Sequence, residues 1–552
     1  MNQLAKLWSQ SKNLSDEQKQ LVNNLSEEQI DELFNPEFKF TFGTSGVRLQ
    51  RNIGTKYFNK ITYMQLIVGF IEYLNNQNKT NKIVVFGRDN RFLSKEAMQM
   101  AAELFSAAGY EVLVPADYKM LSTPIISYLI HHTNACGGIM FTASHNPKEY
   151  CGFKVYGSNG AQPLKEETDI ISDYIPSFES MLDYSWEANQ ELIKFIDDET
   201  ISSYFKVIEK ALVNTDPNQT KELKVVFSAH HGSSSYDMIP FLNSLGYKNV
   251  ISVSEQNQED PNFSYDTTSN PEVPISFKLS LEYAQKHNAN LMLSSDPDGD
   301  RLGAAVFKNG EWVYLTGNET AIIAAYYLLK HKSYDKAKYV ISTYISTRYI
   351  ELFANEFNCE VKYVDVGFKN HGNLIAQLKK TNSLVIGFEE AIGALWNDFN
   401  NDKDSYQYAA LLLEIVNYYQ SNHNMDLIDI LEKEIFPKYG YWYNRTIQFI
   451  IDGDNWKQKA ISIMNNLKDF EFKAISDYQI HDMIYHEVGN YLEWKLDGLG
   501  SIKFRLSGTE PKFKVYIELY KATSETDFDY KPYFSSKVAD IIDFLKDYTG
   551  LN

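Results

Sequence analysis

Residues 291–301, Leu291-Met292-Leu293-Ser294-Ser295-Asp296-Pro297-Asp298-Gly299-Asp300-Arg301, run from a short apolar strand into an acidic turn. Proline and glycine alternate with the three aspartates, so the backbone turns and the carboxylates can converge. Three hard oxygens crowded together repel unless a cation joins them, and Mg2+ suits such a place when a phosphate supplies further ligands. Two rival readings fail on spacing. An EF-hand needs glycine at loop position 6 and glutamate at 12, where this chain has Arg301 and Phe307. An aspartyl-phosphate motif of the D-x-D-x-[TV] kind wants Thr or Val where Asp300 stands. A plain acidic surface turn is the bland alternative; the apolar strand before the loop and Arg301 at its end favour the metal site.

The same pattern, apolar strand into polar loop, occurs three more times. Ile139-Met140-Phe141 leads into Thr142-Ala143-Ser144-His145-Asn146-Pro147, Leu384-Val385-Ile386 into Gly387-Phe388-Glu389-Glu390, and the segment Ile502 to Leu506 into Ser507-Gly508-Thr509-Glu510-Pro511. Ligands bind at the carboxyl ends of strands in parallel α/β sheets, so four such loops predict four domains around one cleft. Alternation elsewhere agrees: strand Ile83 to Phe86, helix Ser94 to Ala108 stopped by Gly109, strand Glu111 to Val114. The first thirty-five residues read as packing helices without chemistry, opened by capping boxes at Ser15/Gln18 and Ser26/Gln29. The last hundred differ, with longer strands (Trp442 to Ile451, Ile502 to Leu506, Lys514 to Tyr520) and a final helix near 531–547. The expected domains are 1–206 with the serine loop, 207–315 with the aspartate loop, 316–432 with the Glu389 loop, and an α+β domain at 433–552.

Composition bounds the partners. Lys plus Arg is 53 and Asp plus Glu is 72, a formal charge of -19, which argues against nucleic acid or an anionic membrane. An anionic ligand therefore needs a locally basic pocket. The three cysteines, Cys136, Cys151 and Cys359, lack metal-ligand spacing, and their odd number suits a reducing compartment. The N-terminus has no signal-peptide pattern and the most apolar run, Ala321 to Leu329, is too short to cross a bilayer. A cytoplasmic protein is expected.

Each loop has a chemistry. Ser144 is a poor nucleophile unless activated, and the chain has no G-x-S-x-G elbow. A phosphoserine is a different use of the residue: it carries about -1.5 to -2 charge and needs a cation beside it. Arg505-Leu506-Ser507-Gly508-Thr509 reads as an anion clamp, with a guanidinium fork, two hydroxyls and a glycine that lets amides approach phosphate. Glu389 and Glu390 either bind sugar hydroxyls or begin a helix. Lys154, in Gly152-Phe153-Lys154-Val155-Tyr156, is either catalytic or a solvated strand residue, and His230-His231-Gly232-Ser233 reads as a structural loop.

With these loops in order, and with Phe42-Gly43-Thr44-Ser45-Gly46-Val47-Arg48 ahead of them, the sequence resembles the α-D-phosphohexomutase superfamily from about Phe42 onward. The resemblance implies an α/β fold of three α/β domains plus a smaller C-terminal α+β domain around a central cleft. It implies a phosphosugar mutase that interconverts sugar 1-phosphate and sugar 6-phosphate, of glucose or mannose, through a phosphoserine and a bisphosphate intermediate. By matching positions, Ser144 would carry the phosphoryl group and, with Asp296, Asp298 and Asp300, hold one Mg2+ per chain. Arg48 and Lys154 would assist proton transfer, His145 would lie against the sugar, and Arg301 beside the moving phosphoryl group. Gly367 and Lys369 resemble a substrate loop; Glu389 and Glu390 fall at the sugar-reading acids; Arg505, Ser507, Gly508 and Thr509 would bind the phosphate not in transfer. Small phosphosugars would be the partners of a monomer or homodimer, with a sugar bisphosphate as activator. One departure stands out. Ala391 occupies a position where many hexose-specific members have serine, and Glu389-Glu390-Ala391-Ile392-Gly393, with Asp402-Lys403-Asp404 downstream, resembles the branch containing phosphopentomutases and sugar bisphosphate synthases. Pentose phosphates and net bisphosphate synthesis therefore stay open as alternatives.

Overall fold

A computed structural model of the protein describes residues 2–43, 45–77, 80–214, 221–451, 453, 455–471, 474–475, 477–487, 489–506, 512–522 and 528–551. Two compact units emerge, Met1–Gly317 with Gly367–Asn417, and Asn318–Val366 with Tyr418–Asn552. Ahead of the first strand stand three short α-helices, Gln3–Gln10, Asp16–Gln20 and Glu27–Leu33, with a 3-10 turn at Leu21–Asn24. Both expected capping boxes are made: the Ser15 and Ser26 hydroxyls accept from the amides of Gln18 and Gln29, whose side chains accept in return. Trp8 stacks on Phe178 at 6.1 Å and meets Phe34 edge-on at 5.7 Å, tying this extension to the first sheet's core.

That sheet contains β1 (Val47–Gln50), β2 (Ile83–Arg88), β3 (Glu111–Pro115), β4 (Gly137–Phe141), β5 (Tyr150–Gly157) and β6 (Ile193–Ile196), in the order β1-β5-β4-β2-β3-β6. β4, β2, β3 and β6 run parallel; β5 is antiparallel to β4, and the edge strand β1 is antiparallel to β5. β4 is buried along its whole length, as expected of a continuous apolar run covered on both faces. A second sheet follows with β7 (Val225–Ser228), β8 (Val250–Ser252), β9 (Leu291–Ser295), β10 (Leu302–Lys308) and β11 (Glu311–Leu315), ordered β11-β10-β9-β7-β8. Here β9 and β10 are antiparallel, with Leu302 opposite Ser295, so Asp296 to Arg301 close a hairpin at the carboxyl end of β9.

Beyond the helix Gly317–His331, β12 (Ala337–Thr343) and β13 (Cys359–Val364) pair in parallel within the second unit. The chain re-enters the first unit with the helix Phe368–Leu378 and with β14 (Asn382–Glu389) and β15 (Gly393–Leu395), an antiparallel hairpin. The strand expected at Leu384 to Ile386 is longer than its apolar core: Glu389 is its last residue and pairs with Gly393, so neither Glu389 nor Glu390 begins a helix. The second unit ends with β16 (Tyr441–Ile450), the two-residue ladder β17 (Ala474–Ile475) and β18 (Tyr478–Gln479), then β19 (Asp482–His486), β20 (Tyr491–Lys495), β21 (Ser501–Leu506) and β22 (Lys512–Lys521). Five of these form the antiparallel sheet β16-β22-β21-β20-β19, followed by the helix Tyr530–Thr549. This is the α+β region expected from its longer strands. All three cysteines are buried free thiols, and among the described residues no helix is long and apolar enough to cross a membrane.

Glycine sets how closely β5 approaches the serine loop. A Cβ at Gly152, which lies opposite Arg48, would stand 2.0 Å from the Thr142 carbonyl oxygen. Gly152→Ala is expected to destabilise by about 1–3 kcal/mol through overpacking, read from urea unfolding; an unchanged midpoint would show that the strands separate freely there.

Candidate active site

Ser144 sits just past the carboxyl end of β4, fully buried, with φ of 50°. Left-handed backbone is rare for residues other than glycine, and here it turns the hydroxyl toward the neighbouring hairpin. Ser144 Oγ donates to Asp296 Oδ2 at 2.7 Å and lies 3.2 Å from His145 Nδ1. The three aspartates are buried, and one carboxylate oxygen from each lies within 4.8 Å of the others. Asp296 Oδ1 accepts the backbone amides of Asp300 and Arg301 at 3.1 and 3.0 Å, which folds the turn back on its first residue. Thr123 holds the middle of the loop, its hydroxyl donating to Asp298 Oδ2 and its amide to the Asp298 carbonyl, both at 2.9 Å.

Cations line one side of this cradle. Lys154, in the middle of β5 and fully buried, donates to Asp298 Oδ2 and, at 3.0 Å, to Asp300 Oδ2. The reading of Lys154 as a solvated strand residue is thus overturned. Lys403 Nζ lies 3.2 Å from the same Asp300 oxygen, and Arg301 Nε is 3.8 Å from Asp300 Oδ1. Burial pushes all three carboxyls up. At Asp298 the Lys154 ammonium, and at Asp300 Lys154 with Lys403 and Arg301, override burial and hold the acid below the usual carboxylate range. Asp296 has no such ammonium; burial and the two neighbouring carboxylates raise it well above that range. Lys154 in turn is held above its ordinary value, because Asp298 and Asp300 outweigh the effect of burial. His145 is pushed well below its ordinary value by burial and by Arg301 and Arg48, which favours its neutral form. Arg48, whose side chain donates to Asn146 Oδ1 at 2.9 Å, is lowered by burial and by nearby arginines.

Two carboxylate oxygens in the cradle, Asp298 Oδ1 and Asp300 Oδ1, are buried without a hydrogen-bond partner, and so is Arg301 Nε. Unpaired buried carboxylate oxygens are costly, and a hard divalent cation is what such a donor set fits. The Arg301 Nε is likewise left for an anion.

A further group stands on the same unit. Gly367 has φ of 105°, a value that suits glycine, and its amide donates to Glu389 Oε1 at 2.9 Å, so the expected substrate loop and the expected sugar-reading acid are joined. Lys369 Nζ donates to the Gly43 carbonyl at 3.3 Å. Glu390 lies in the turn after β14, where its carbonyl packs against Gly317. Arg505 is half-buried near the end of β21; Ser507, Gly508 and Thr509, and Thr44 in the first motif, lie outside the described residues. His230 and His231 are buried after β7, where His230 Nδ1 contacts Asp266 Oδ1 at 2.9 Å and His231 Nδ1 contacts the Gln258 carbonyl at 3.0 Å, as a structural loop requires.

Sequence reasoning missed Lys403, Thr123, Asn146, Asp89 and Arg91. Lys403 was visible only as the centre of Asp402-Lys403-Asp404; all three are buried, and a Cβ at Gly393 would lie 2.1 Å from the Lys403 side chain. Asp89 and Arg91 follow β2 at its carboxyl end, so the strand-into-loop rule reaches them when applied to that strand too.

The chain matches three family descriptions in order: phosphoglucomutase/phosphomannomutase alpha/beta/alpha domain I over residues 39–180, domain II over 202–310 and domain III over 316–437. A phosphomannomutase of Mycoplasmoides pirum is 38% identical, covering 94% of this chain and 95% of that protein. A phosphoglucomutase of Staphylococcus aureus strain MW2 is 32% identical, covering 93% and 95%. Among solved structures, the exocytosis-sensitive phosphoprotein parafusin (phosphoglucomutase) of Paramecium in its open form has a TM-score of 0.71 at 17% identity over 94% of this chain and 96% of that one. A phosphoglucomutase/phosphomannomutase family protein of Burkholderia thailandensis has a TM-score of 0.68 at 17% identity over 92% and 98%; both share the fold. Fold and relatives together define a sugar-phosphate mutase, an isomerase that works by phosphoryl transfer. The chain belongs to the phosphoglucomutase/phosphomannomutase family of the α-D-phosphohexomutase superfamily, with three α/β/α domains and a β-rich C-terminal domain.

Removing Lys154 leaves buried Asp298 without its ammonium and Asp300 with only Lys403 and Arg301. Lys154→Ala is expected to cost about 3–5 kcal/mol of stability, with much of the loss recovered when Mg2+ is added. Urea unfolding with and without Mg2+ checks this. Equal stability of variant and parent without metal would show that the ion pairs contribute nothing. Asp300→Asn should weaken Mg2+ binding in calorimetry; unchanged affinity would remove Asp300 from the cradle.

Proposed function

We propose that the protein interconverts hexose 1-phosphate and hexose 6-phosphate, of glucose and mannose, through a phosphoryl group carried on Ser144. The observation that carries this is the 2.7 Å contact of the buried Ser144 hydroxyl with Asp296, inside a cradle whose Asp298 and Asp300 retain unpaired oxygens. Relatives named for mannose and for glucose support the hexose reading. Asp296, Asp298, Asp300 and a phosphate oxygen on Ser144 would hold one Mg2+, which supplies charge neutralisation for the phosphoryl oxygens.

The residues then have distinct tasks. The sugar hydroxyl attacks the phosphorus on Ser144; its P–O bond forms as the bond to Ser144 Oγ breaks, and the departing oxygen regains a proton. Lys154, firmly protonated, and Arg48, lowered from its ordinary value, are the cations assigned to that proton traffic. Arg301 is assigned the equatorial oxygens of the moving group, and His145 the sugar face next to Ser144. Glu389, fixed by the Gly367 amide, reads sugar hydroxyls with Glu390 and Lys369. Arg505, Ser507, Gly508 and Thr509 are assigned the phosphate not in transfer. The bisphosphate then turns end for end and its other phosphate returns to Ser144. A free sugar bisphosphate would reload a chain that has lost its phosphoryl group, and so act as activator. The enzyme is taken to work in the cytoplasm on small phosphosugars.

A second reading rests on Ala391, in the turn between β14 and β15. A missing serine hydroxyl removes a hydrogen bond of about 0.5–1.5 kcal/mol, up to roughly tenfold in preference. Purified protein is expected to carry phosphate on Ser144, and Ser144→Ala to lose nearly all turnover; full activity in that variant would end the phosphoserine mechanism. Side-by-side kcat/KM for glucose, mannose and ribose 1-phosphates should favour the hexoses. A clear ribose preference, or net accumulation of bisphosphate, would select the pentomutase or synthase reading instead.

A further inference from the structure

Ser144 is held in place by Arg91, Asp89 and Thr142. Arg91 is 3% exposed and its guanidinium has five N–H donors, all of them engaged. Nε donates to Asp89 Oδ2 at 3.1 Å, and one terminal nitrogen donates to the carbonyls of Pro147 and Tyr150, both at 2.8 Å. The other donates to the carbonyl of Ser144 at 2.6 Å and to that of Asn146. Four carbonyls of one loop, 144–150, thus converge on a single side chain. The Phe263 ring lies over the guanidinium at 5.3 Å and covers it. With no donor left over, Arg91 is not available to bind phosphate.

Asp89 completes the device. It is fully buried; Oδ1 accepts the Arg91 amide at 3.0 Å, and Oδ2 accepts both Arg91 Nε and the Thr142 hydroxyl, the latter at 2.6 Å. Thr142 Oγ1 in turn accepts the Ser144 amide at 2.7 Å. Ser144 is therefore held from both ends, its amide through Thr142 and Asp89 and its carbonyl by Arg91. Its φ of 50° is one that L-residues rarely adopt unless their surroundings over-determine it.

We propose that Arg91, oriented by Asp89, is the positioning residue that keeps Ser144 in its left-handed conformation and so aims its hydroxyl at Asp296. The inference rests on the reading of Ser144 as the phosphoryl carrier. Lysine offers a point charge with three donors in place of a planar fork of five, so it cannot span these acceptors. Arg91→Lys is expected to lower kcat and the single-turnover rate of phosphoryl transfer from labelled phosphoenzyme to glucose 1-phosphate by about 10²-fold, the scale of a small misplacement of a reacting group, while KM stays close to the parent value. Thr142→Val, near in shape, should lower the same rate, and Thr142→Ser, which keeps the hydroxyl, should restore it. Parent-like single-turnover rates in Arg91→Lys and Thr142→Val would overturn the proposal; if Arg91→Lys does not fold, the Thr142 pair decides. If the parent protein itself carries no phosphoryl group and isomerises nothing, the mutase reading has failed. Amide hydrogen exchange over 142–150 then decides the clamp, faster exchange in Thr142→Val supporting it and unchanged exchange refuting it.

Discussion

Three carboxylates buried within 4.8 Å of one another are the constraint around which the first unit is organised. Like charges at that distance cannot all ionise in a low-dielectric interior without compensation. The fold supplies it from separate parts of the chain: Lys154 from the middle of β5, Lys403 from the segment after β15, and Arg301 from the end of the loop itself. Two of the acids, Asp298 and Asp300, thus face three cations, while Asp296 meets the Ser144 hydroxyl. Thr123 and Ser405 fasten the loop further, the Ser405 hydroxyl donating to the Gly299 carbonyl at 2.6 Å.

The same demand explains the close approaches. Gly152 lets β5 come against the Thr142 carbonyl, Gly393 makes room for the Lys403 side chain, and Gly232 lets the loop after β7 lie on Pro297. The helix Ser405–His423 begins beneath a second buried acid, Asp404, which accepts from Tyr204, Asn400 and Gln407 at 2.6 to 2.8 Å. Asp402 is held by Tyr156 and Gln162, each at 2.9 Å. The site is therefore supported by a shell of buried polar groups that are themselves hydrogen-bonded, the condition under which such networks rigidify a fold.

Much of this was legible because two signals are local. Apolar strand segments such as Ile139 to Phe141 and Leu291 to Leu293 announce buried strands, and the polar residues that follow them announce the site, so Ser144 and the aspartates could be named from sequence. Groups that act by distant pairing were not legible from their own local sequence, and Lys154 was named only through the family resemblance. Lys154 looks like any charged strand residue until the strand is placed beside Asp298, and Lys403 looks like part of a solvated charged run until Gly393 and Asp300 surround it. The extension of β14 to Glu389 was missed for the same reason: its last pair, with Gly393, is set by the hairpin partner rather than by apolar content.

Asp296 differs from its two neighbours, and the difference bears on how the site handles charge. Lys154 and Lys403 neutralise Asp298 and Asp300, which stay ionised, whereas Asp296 faces a neutral hydroxyl and is driven toward its protonated form by burial and by those same two acids. Phosphorylation of Ser144 replaces that hydroxyl donor by a group of about -1.5 to -2 charge. Lys154 and Lys403 are already paired, so on the proposed function the added charge would be met by a divalent ion at Asp296 and at the unpaired oxygens of Asp298 and Asp300. Without one, a phosphoryl group on Ser144 would crowd the Asp296 carboxyl that now accepts the Ser144 hydroxyl. On the proposed function, metal affinity and the phosphorylation state of Ser144 would be tied through one carboxyl group. The proposed clamp of Arg91, Asp89 and Thr142 would keep that tie short.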